Sequence, residues 1–228
     1  MTAHLVKLQQ APDLVDRVYR ALLEAISDGR VAPGARLTQE DIAARLAVSR
    51  QPVLQALRLL KKDGLLVDAP GRGVLVAPLD AAWIAQVYEV RGALDALAAR
   101  LAARRRAVLD PKLIDTGRRA ARGKNIPAMV EADIAFHDAI YAASGNPLIG
   151  ASARLHWVHL RRVMGAVLRE ERQREGLWNE HAAIAEAIAR GDADGAARLI
   201  DHHGGQASQN LLARLTDVLD QQARKGLS

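Results

Sequence analysis

The sequence of 228 residues contains no cysteine, which excludes a disulfide framework and thiolate metal centres and is compatible with a reducing compartment. Aromatic residues make up only 3% of it, so its cores must be built from Leu, Ala, Val and Ile, a mixture rich in good helix formers. No apolar run approaches the ~20 residues of a bilayer span, and residues 1–12 carry no long apolar stretch, so a soluble, cytoplasmic protein without membrane partners is expected. A charge block is missing too. The net charge of +6 divides evenly, with 11 Lys+Arg against 8 Asp+Glu in residues 1–78 and 21 against 18 in the rest. Charge alone is therefore weak evidence for nucleic acid. What is present is 50% apolar content over a length that suits two domains of ordinary size.

Apolar residues at Leu14, Val18, Leu22, Ala25 and Ile26 follow a helical period that Gly29 ends. A turn carrying Pro33-Gly34 comes next, and then Thr38, as N-cap, with Asp41 at the capping-box position, opens a second helix. Ser49 is expected to cap a third, over residues 50–62. After Gly64 the chain reads as a β-hairpin, Leu65 to Asp68 and Val74 to Val76, around the Gly-rich tip Gly71-Arg72-Gly73. Three helices and a hairpin in 78 residues make a winged helix-turn-helix. In such a module the start of the third helix enters the major groove of duplex DNA, which places Ser49, Arg50 and Gln51 at base edges and phosphates. Arg72, between two glycines, is placed on phosphates or in the minor groove.

The stretches Gly29-x-Val31-x-Pro33-Gly34-x-Arg36-Leu37, Val48-Ser49-Arg50-x-Pro52-Val53 and Ala56-Leu57-x2-Leu59-Leu60-x3-Gly64-Leu65 resemble the signature of GntR-type bacterial regulators. The resemblance implies operator contacts by Arg36 and Arg50, with Gly73 at the wing tip. Where that family usually carries an Arg followed by an acidic residue, this chain has Leu54 and Gln55. Leu cannot hold guanine bidentately, a difference of roughly 1–3 kcal/mol in base discrimination. Gln51 and Gln55, one turn apart, could read adenine instead or could merely solvate the helix.

Pro78-Leu79-Asp80 looks like a linker, and residues 79–228 read as helix after helix. The series Ile84, Val87, Leu94, Ala98 and Leu101 is completed by Arg91, a guanidinium on an apolar face that needs an anion. Either a protein carboxylate pairs with it or it waits for a ligand carboxylate. Residues 100–124 hold nine Lys+Arg, including Arg104-Arg105-Arg106, but without aromatic residues for stacking a solvated helix end is the simpler reading.

Asp133 and His137 fall four residues apart on the face formed by Ile126, Val130, Ile140 and Ser144. His181 joins the series Leu177, Ile184 and Ile188. His203 joins Ala196, Leu199, Ala207 and Leu211, whereas His202 looks solvated. A single inward histidine is usually a satisfied core residue, but three with an inward carboxylate each require a partner. One divalent ion satisfies all four, and imidazole with carboxylate suits Zn, Ni, Mn or Fe. His156 and His159 read as solvated or pocket-wall residues, with metal binding as the alternative, and Arg162, one turn beyond His159, as a candidate for the pocket lining.

This half is similar to the FCD ligand-sensing domain of the FadR-like branch of GntR regulators, through Val90-Arg91-x2-Leu94-Asp95, Asp133-x3-His137, Ser144-Gly145-Asn146-Pro147, Glu180-His181-x2-Ile184 and Gly191-Asp192 leading to His203. The resemblance implies an antiparallel bundle of six or seven helices, a metal at Asp133, His137, His181 and His203, a carboxylate effector beside Arg91, and a homodimer. Gly204-Gly205 departs from it and loosens the last helix by roughly 0.5–1 kcal/mol per glycine. The expectation is thus a mainly α protein, residues 1–78 gripping operator DNA and residues 79–228 sensing a small organic acid, acting as a repressor and not an enzyme. Two rivals stand beside it: a metal-dependent hydrolase, and a regulator whose metal is only a structural staple.

Overall fold

The computed structural model describes residues 14–123, 125–167 and 174–225; residues 1–13 and Lys124 of the basic run lie outside them. The chain separates into two compact units, Met1–Pro78 and Leu79–Ser228. Among the described residues no helix is long and apolar enough to cross a membrane.

In the first unit α1 (Leu14–Ser27), α2 (Gln39–Leu46) and α3 (Arg50–Lys62) accompany an antiparallel sheet of β1 (Arg36–Leu37), β2 (Leu66–Asp68) and β3 (Val74–Val76), in the order β1-β3-β2. The helical period of α1 buries Val18, Leu22 and Ile26, and α3, packed against it, buries Val53, Ala56, Leu57 and Leu60. Thr38 caps α2 as its position suggests, its hydroxyl oxygen accepting from the Asp41 N–H at 3.2 Å. Ser49 occupies the N-cap position of α3 but makes no capping hydrogen bond. The third residue of the helix is Pro52, which has no N–H to offer and so removes one of the two usual capping donors. Strand β1 was expected only as part of a turn. It pairs Arg36 with Leu75 and Leu37 with Val74, and two residues are too few to show an alternating pattern.

The second unit contains, among the described residues, six helices: α4 (Ala81–Arg104), α5 (Lys112–Arg122), α6 (Ile126–Ser144), α7 (Pro147–Val167), α8 (Arg174–Arg190) and α9 (Ala193–Lys225). Asp80 caps α4 by accepting from the N–H groups of Ala82 and Trp83. The long helices α4 and α9 lie against each other, α6 packs on α4, α5 and α7, and α8 packs on α5 and α9. Their common core includes Phe136, Ile140, Leu160, Ile184, Ile188 and Leu215, all fully buried. Gly117 lets α5 approach α8, because a Cβ there would lie 2.0 Å from the Trp178 ring. The run Arg104-Arg105-Arg106 ends α4, where Arg105 lies over Gly145 at the end of α6 and Arg106 over Gly191 at the end of α8. Cations at helix C-termini are favourably placed, so two of these charges belong to the bundle.

Candidate metal centre and nucleic-acid interface

Three helices send four polar side chains to one interior point. On α6, Asp133 and His137 are one turn apart and share a face; α8 brings His181 and α9 brings His203, all four buried. One ligand atom from each lies within 4.8 Å of the others. His181 Nε2 is 3.2 Å from His203 Nε2 and 3.3 Å from Asp133 Oδ1. Asp133 Oδ1 and His181 Nδ1 are buried without a well-aligned hydrogen-bond partner, the condition a bound cation would relieve for the carboxylate.

Electrostatics set Asp133, His181 and His203 in the protonation states that metal ligands need. Burial pulls the imidazoles of His181 and His203 below their ordinary range, and for His203 the neighbouring His181 and His137 add to the effect. Burial would raise the Asp133 carboxyl, but the His181 hydrogen bond and the surrounding imidazoles hold it well below the usual carboxylate range. Neutral imidazoles and an anionic carboxylate are the forms that coordinate. Three nitrogens and one oxygen, with no cysteine in the chain, suit borderline divalent ions such as Zn, Ni, Mn or Fe.

The inward face of α4 adds a second layer. Arg91 is only 4% exposed, and its Nε lies 3.2 Å from Asp95 Oδ2, so the protein supplies a carboxylate for it. Its Nη2 lies 2.9 Å from His137 Nε2, and its guanidinium sits 3.8 Å over the Trp157 ring. Burial opposes the charge on Arg91, yet Asp95, with Tyr141, Tyr88 and Asp133, outweighs this and keeps it firmly cationic. Tyr141 donates to Asp95 from the next turn of α6 after His137. The Leu94 series concealed Asp95: four residues on from Arg91 the face passes through Asp95, while Leu94 is half-buried. The same one-residue offset appears on α9, where Ile200 is buried and Leu199 is 38% exposed, and on α8, where Trp178 rather than Leu177 is buried. His202 is exposed. His159 and Arg162 are buried on α7, His159 edge-on to Trp83 at 5.9 Å, and neither they nor His156 belongs to the four-residue group.

At the other end of the chain, Ser49, Arg50 and Gln51 stand exposed at the start of α3, while Gln55 and Leu54 are half-buried. Arg50 makes an ion pair with Glu40 of α2 at 3.1 Å, both side chains open to solvent. Arg72 is exposed at the tip of the hairpin. Arg36 is exposed as well, but its guanidinium donates to the carbonyls of Pro70, at 2.7 Å, and Arg72, at 3.0 Å, and so ties the wing loop down. Gly73, at φ +92°, sits where a Cβ would be 2.5 Å from the Leu37 carbonyl oxygen, so only glycine fits.

Comparison with known proteins fits both halves. The gntR family of bacterial regulatory proteins matches residues 14–76, and the FCD domain matches residues 86–206. The HTH-type transcriptional regulator LutR of Bacillus subtilis is 29% identical over 222 residues, covering 86% of this chain and 94% of LutR. The HTH-type transcriptional repressor RspR of Escherichia coli is 25% identical, covering 86% and 87%. Among solved structures, a GntR transcriptional regulator of Rhodococcus sp. RHA1 superposes with a TM-score of 0.74 at 28% identity, over 87% of this chain and 97% of that one.

Proposed function

Because the chain belongs to the GntR family of bacterial regulatory proteins and its second unit is an FCD domain, we propose that it is a transcription regulator whose helical domain binds a divalent metal and, beside it, a small organic acid. The family is one of DNA-binding regulators and not of enzymes, which sets the hydrolase alternative aside. The observation that carries the metal reading is the convergence of Asp133, His137, His181 and His203 on one buried point. When bound, the ion supplies a Lewis-acidic centre to which a carboxylate oxygen can coordinate.

The residues of the chain favour an anionic guest there. Among the charges in contact with the centre, Asp95 and Asp133 are balanced by Arg91 and a divalent ion with one positive charge left over. A monocarboxylate neutralises it. Arg91 is fixed next to the ligand set by Asp95 and Trp157, so it offers a pre-oriented cation. Binding changes operator affinity only if the effector prefers one of two states of the bundle. RspR is named a repressor, and repression is the reading adopted for this chain.

In the first unit, Arg50, Gln51, Gln55 and the hydroxyl of Ser49, free of a capping bond, face the major groove in this reading, and Arg72 with Gly73 lies along the adjoining backbone. Arg36, exposed beside the wing it holds, contacts the operator as well. The protein acts as a homodimer. On α4, Trp83, Val90 and Leu97 are 48%, 53% and 40% exposed at seven-residue intervals, one apolar line suited to a second copy. A palindromic operator follows from the two-fold symmetry, and with the chromosome as partner the protein works in the cytoplasm.

The test is a thermal-melting screen over a panel of small carboxylic acids, with zinc added and after chelation. A stabilising acid whose effect vanishes with chelation supports the sensor. Stabilisation by zinc with no response to any acid would leave the metal as a staple and overturn the sensor.

A further inference from the structure

His203 is the ligand-set imidazole whose outer nitrogen meets a carboxylate at full hydrogen-bond strength. Its Nδ1 lies 2.8 Å from Glu180 Oε2. His181 Nδ1 has no partner, and His137 Nδ1 lies 3.5 Å from Asp95 Oδ2. Glu180 and His181 are neighbours on α8, so this helix reaches the centre in two ways, with one residue in the ligand set and the other behind the ligand on α9. Glu180 is 41% exposed, closing the arrangement from the solvent side.

Resting on the metal reading above, we propose that Glu180 is the positioning residue of the centre, fixing the tautomer and ring orientation of His203. A carboxylate accepts but cannot donate, so the proton of a neutral His203 must sit on Nδ1. The lone pair is then on Nε2, the nitrogen that faces His181 Nε2 at 3.2 Å. Without that constraint the imidazole divides between two tautomers and several ring angles, and only part of the population presents a lone pair inward. Charge transfer from the carboxylate also makes the imidazole a better donor to a cation.

The surroundings explain why this position calls for such a device. Gly204 and Gly205 follow His203 directly, and a Cβ at either would meet nothing within 4 Å, so neither is required by close packing. They loosen α9 where a ligand must be held. The Glu180 contact ties the His203 ring to α8 and offsets the weak helix propensity of the two glycines.

The experiment measures zinc affinity of the full-length protein by competition with a chromogenic chelator, for wild type, Glu180→Ala, Glu180→Gln and Asp133→Ala. Nitrogen-15 NMR of the imidazoles in the metal-free protein accompanies it. Glu180→Ala should weaken zinc by roughly 10- to 100-fold and lose the uniform Nδ1–H form of His203. Glu180→Gln, which keeps an acceptor oxygen, should recover the tautomer and part of the affinity. Zinc affinity of Glu180→Ala within a factor of about two of wild type, or an unchanged His203 tautomer, overturns the proposal. If Asp133→Ala also binds zinc like wild type, the metal reading itself has failed, and the two failures are thereby told apart.

Discussion

Replacing Asp95 by Asn tests the buried layer beneath the ligand set. The substitution keeps the shape of the side chain and an oxygen to accept from Tyr141, and it removes the charge that faces Arg91 at 3.2 Å. At that distance the attraction is about 5 kcal/mol for an effective dielectric near 20. Asp133 also acts on Arg91, and the Trp157 ring lies under its guanidinium, so part of the compensation survives. The expected loss is therefore about 3 kcal/mol, the lower end of what breaking a buried pair costs. Urea unfolding followed by tryptophan fluorescence is the assay, since Trp83, Trp157 and Trp178 all lie in the second unit and report on it alone. The double variant Arg91→Met/Asp95→Asn should recover stability relative to Asp95→Asn, because no orphaned cation remains. A loss under about 1 kcal/mol in Asp95→Asn, or a double variant no more stable than it, would refute a buried pair that holds the layer together.

The metal-free protein should lose stability as pH falls. His181 and His203 have depressed folded values, so below the ordinary imidazole value of about 6.5 the unfolded chain takes up protons that the folded one does not. Urea midpoints of chelated protein at pH 5 should lie below those at pH 7.5, and equal midpoints would contradict the burial argument. Gly205→Ala should stabilise the second unit by about 0.5–1 kcal/mol in the same assay, since its Cβ enters open space; a loss of stability would show that the glycine has a role beyond the helix. In gel-shift titrations Arg72→Ala should weaken binding to all duplexes alike and lower the salt slope by about one, whereas Gln51→Ala should alter operator preference. The opposite pattern would exchange their roles. Gly73→Ala should weaken DNA binding through the strained wing, and unchanged affinity would show the wing to be dispensable.

Both units were legible in the sequence because their signals are local. The helical period of α1, the cap at Thr38, the Gly-rich wing and the i,i+4 pair Asp133 and His137 each fall within a single element. What was hidden depends on contacts between elements. Strand β1 exists only through pairing with β3, and Asp95 gains its meaning from Arg91, Tyr141 and His137 together. Glu180 has the spacing of a solvated residue and acquires a partner only when α9 is laid beside α8. Arg36 entered as a DNA contact through family likeness, and its bonds to the wing carbonyls, 34 to 36 residues away in sequence, are a further role that no local pattern reveals.

The most direct measurement is the divalent-metal content of purified protein after zinc supply and desalting, read by elemental analysis for wild type and for alanine variants at Asp133, His137, His181 and His203. Wild type should hold close to one ion per chain and each variant markedly less, because all four ligand atoms share one point within 4.8 Å. Metal-free wild type, or variants that retain the wild-type content, would contradict the central claim.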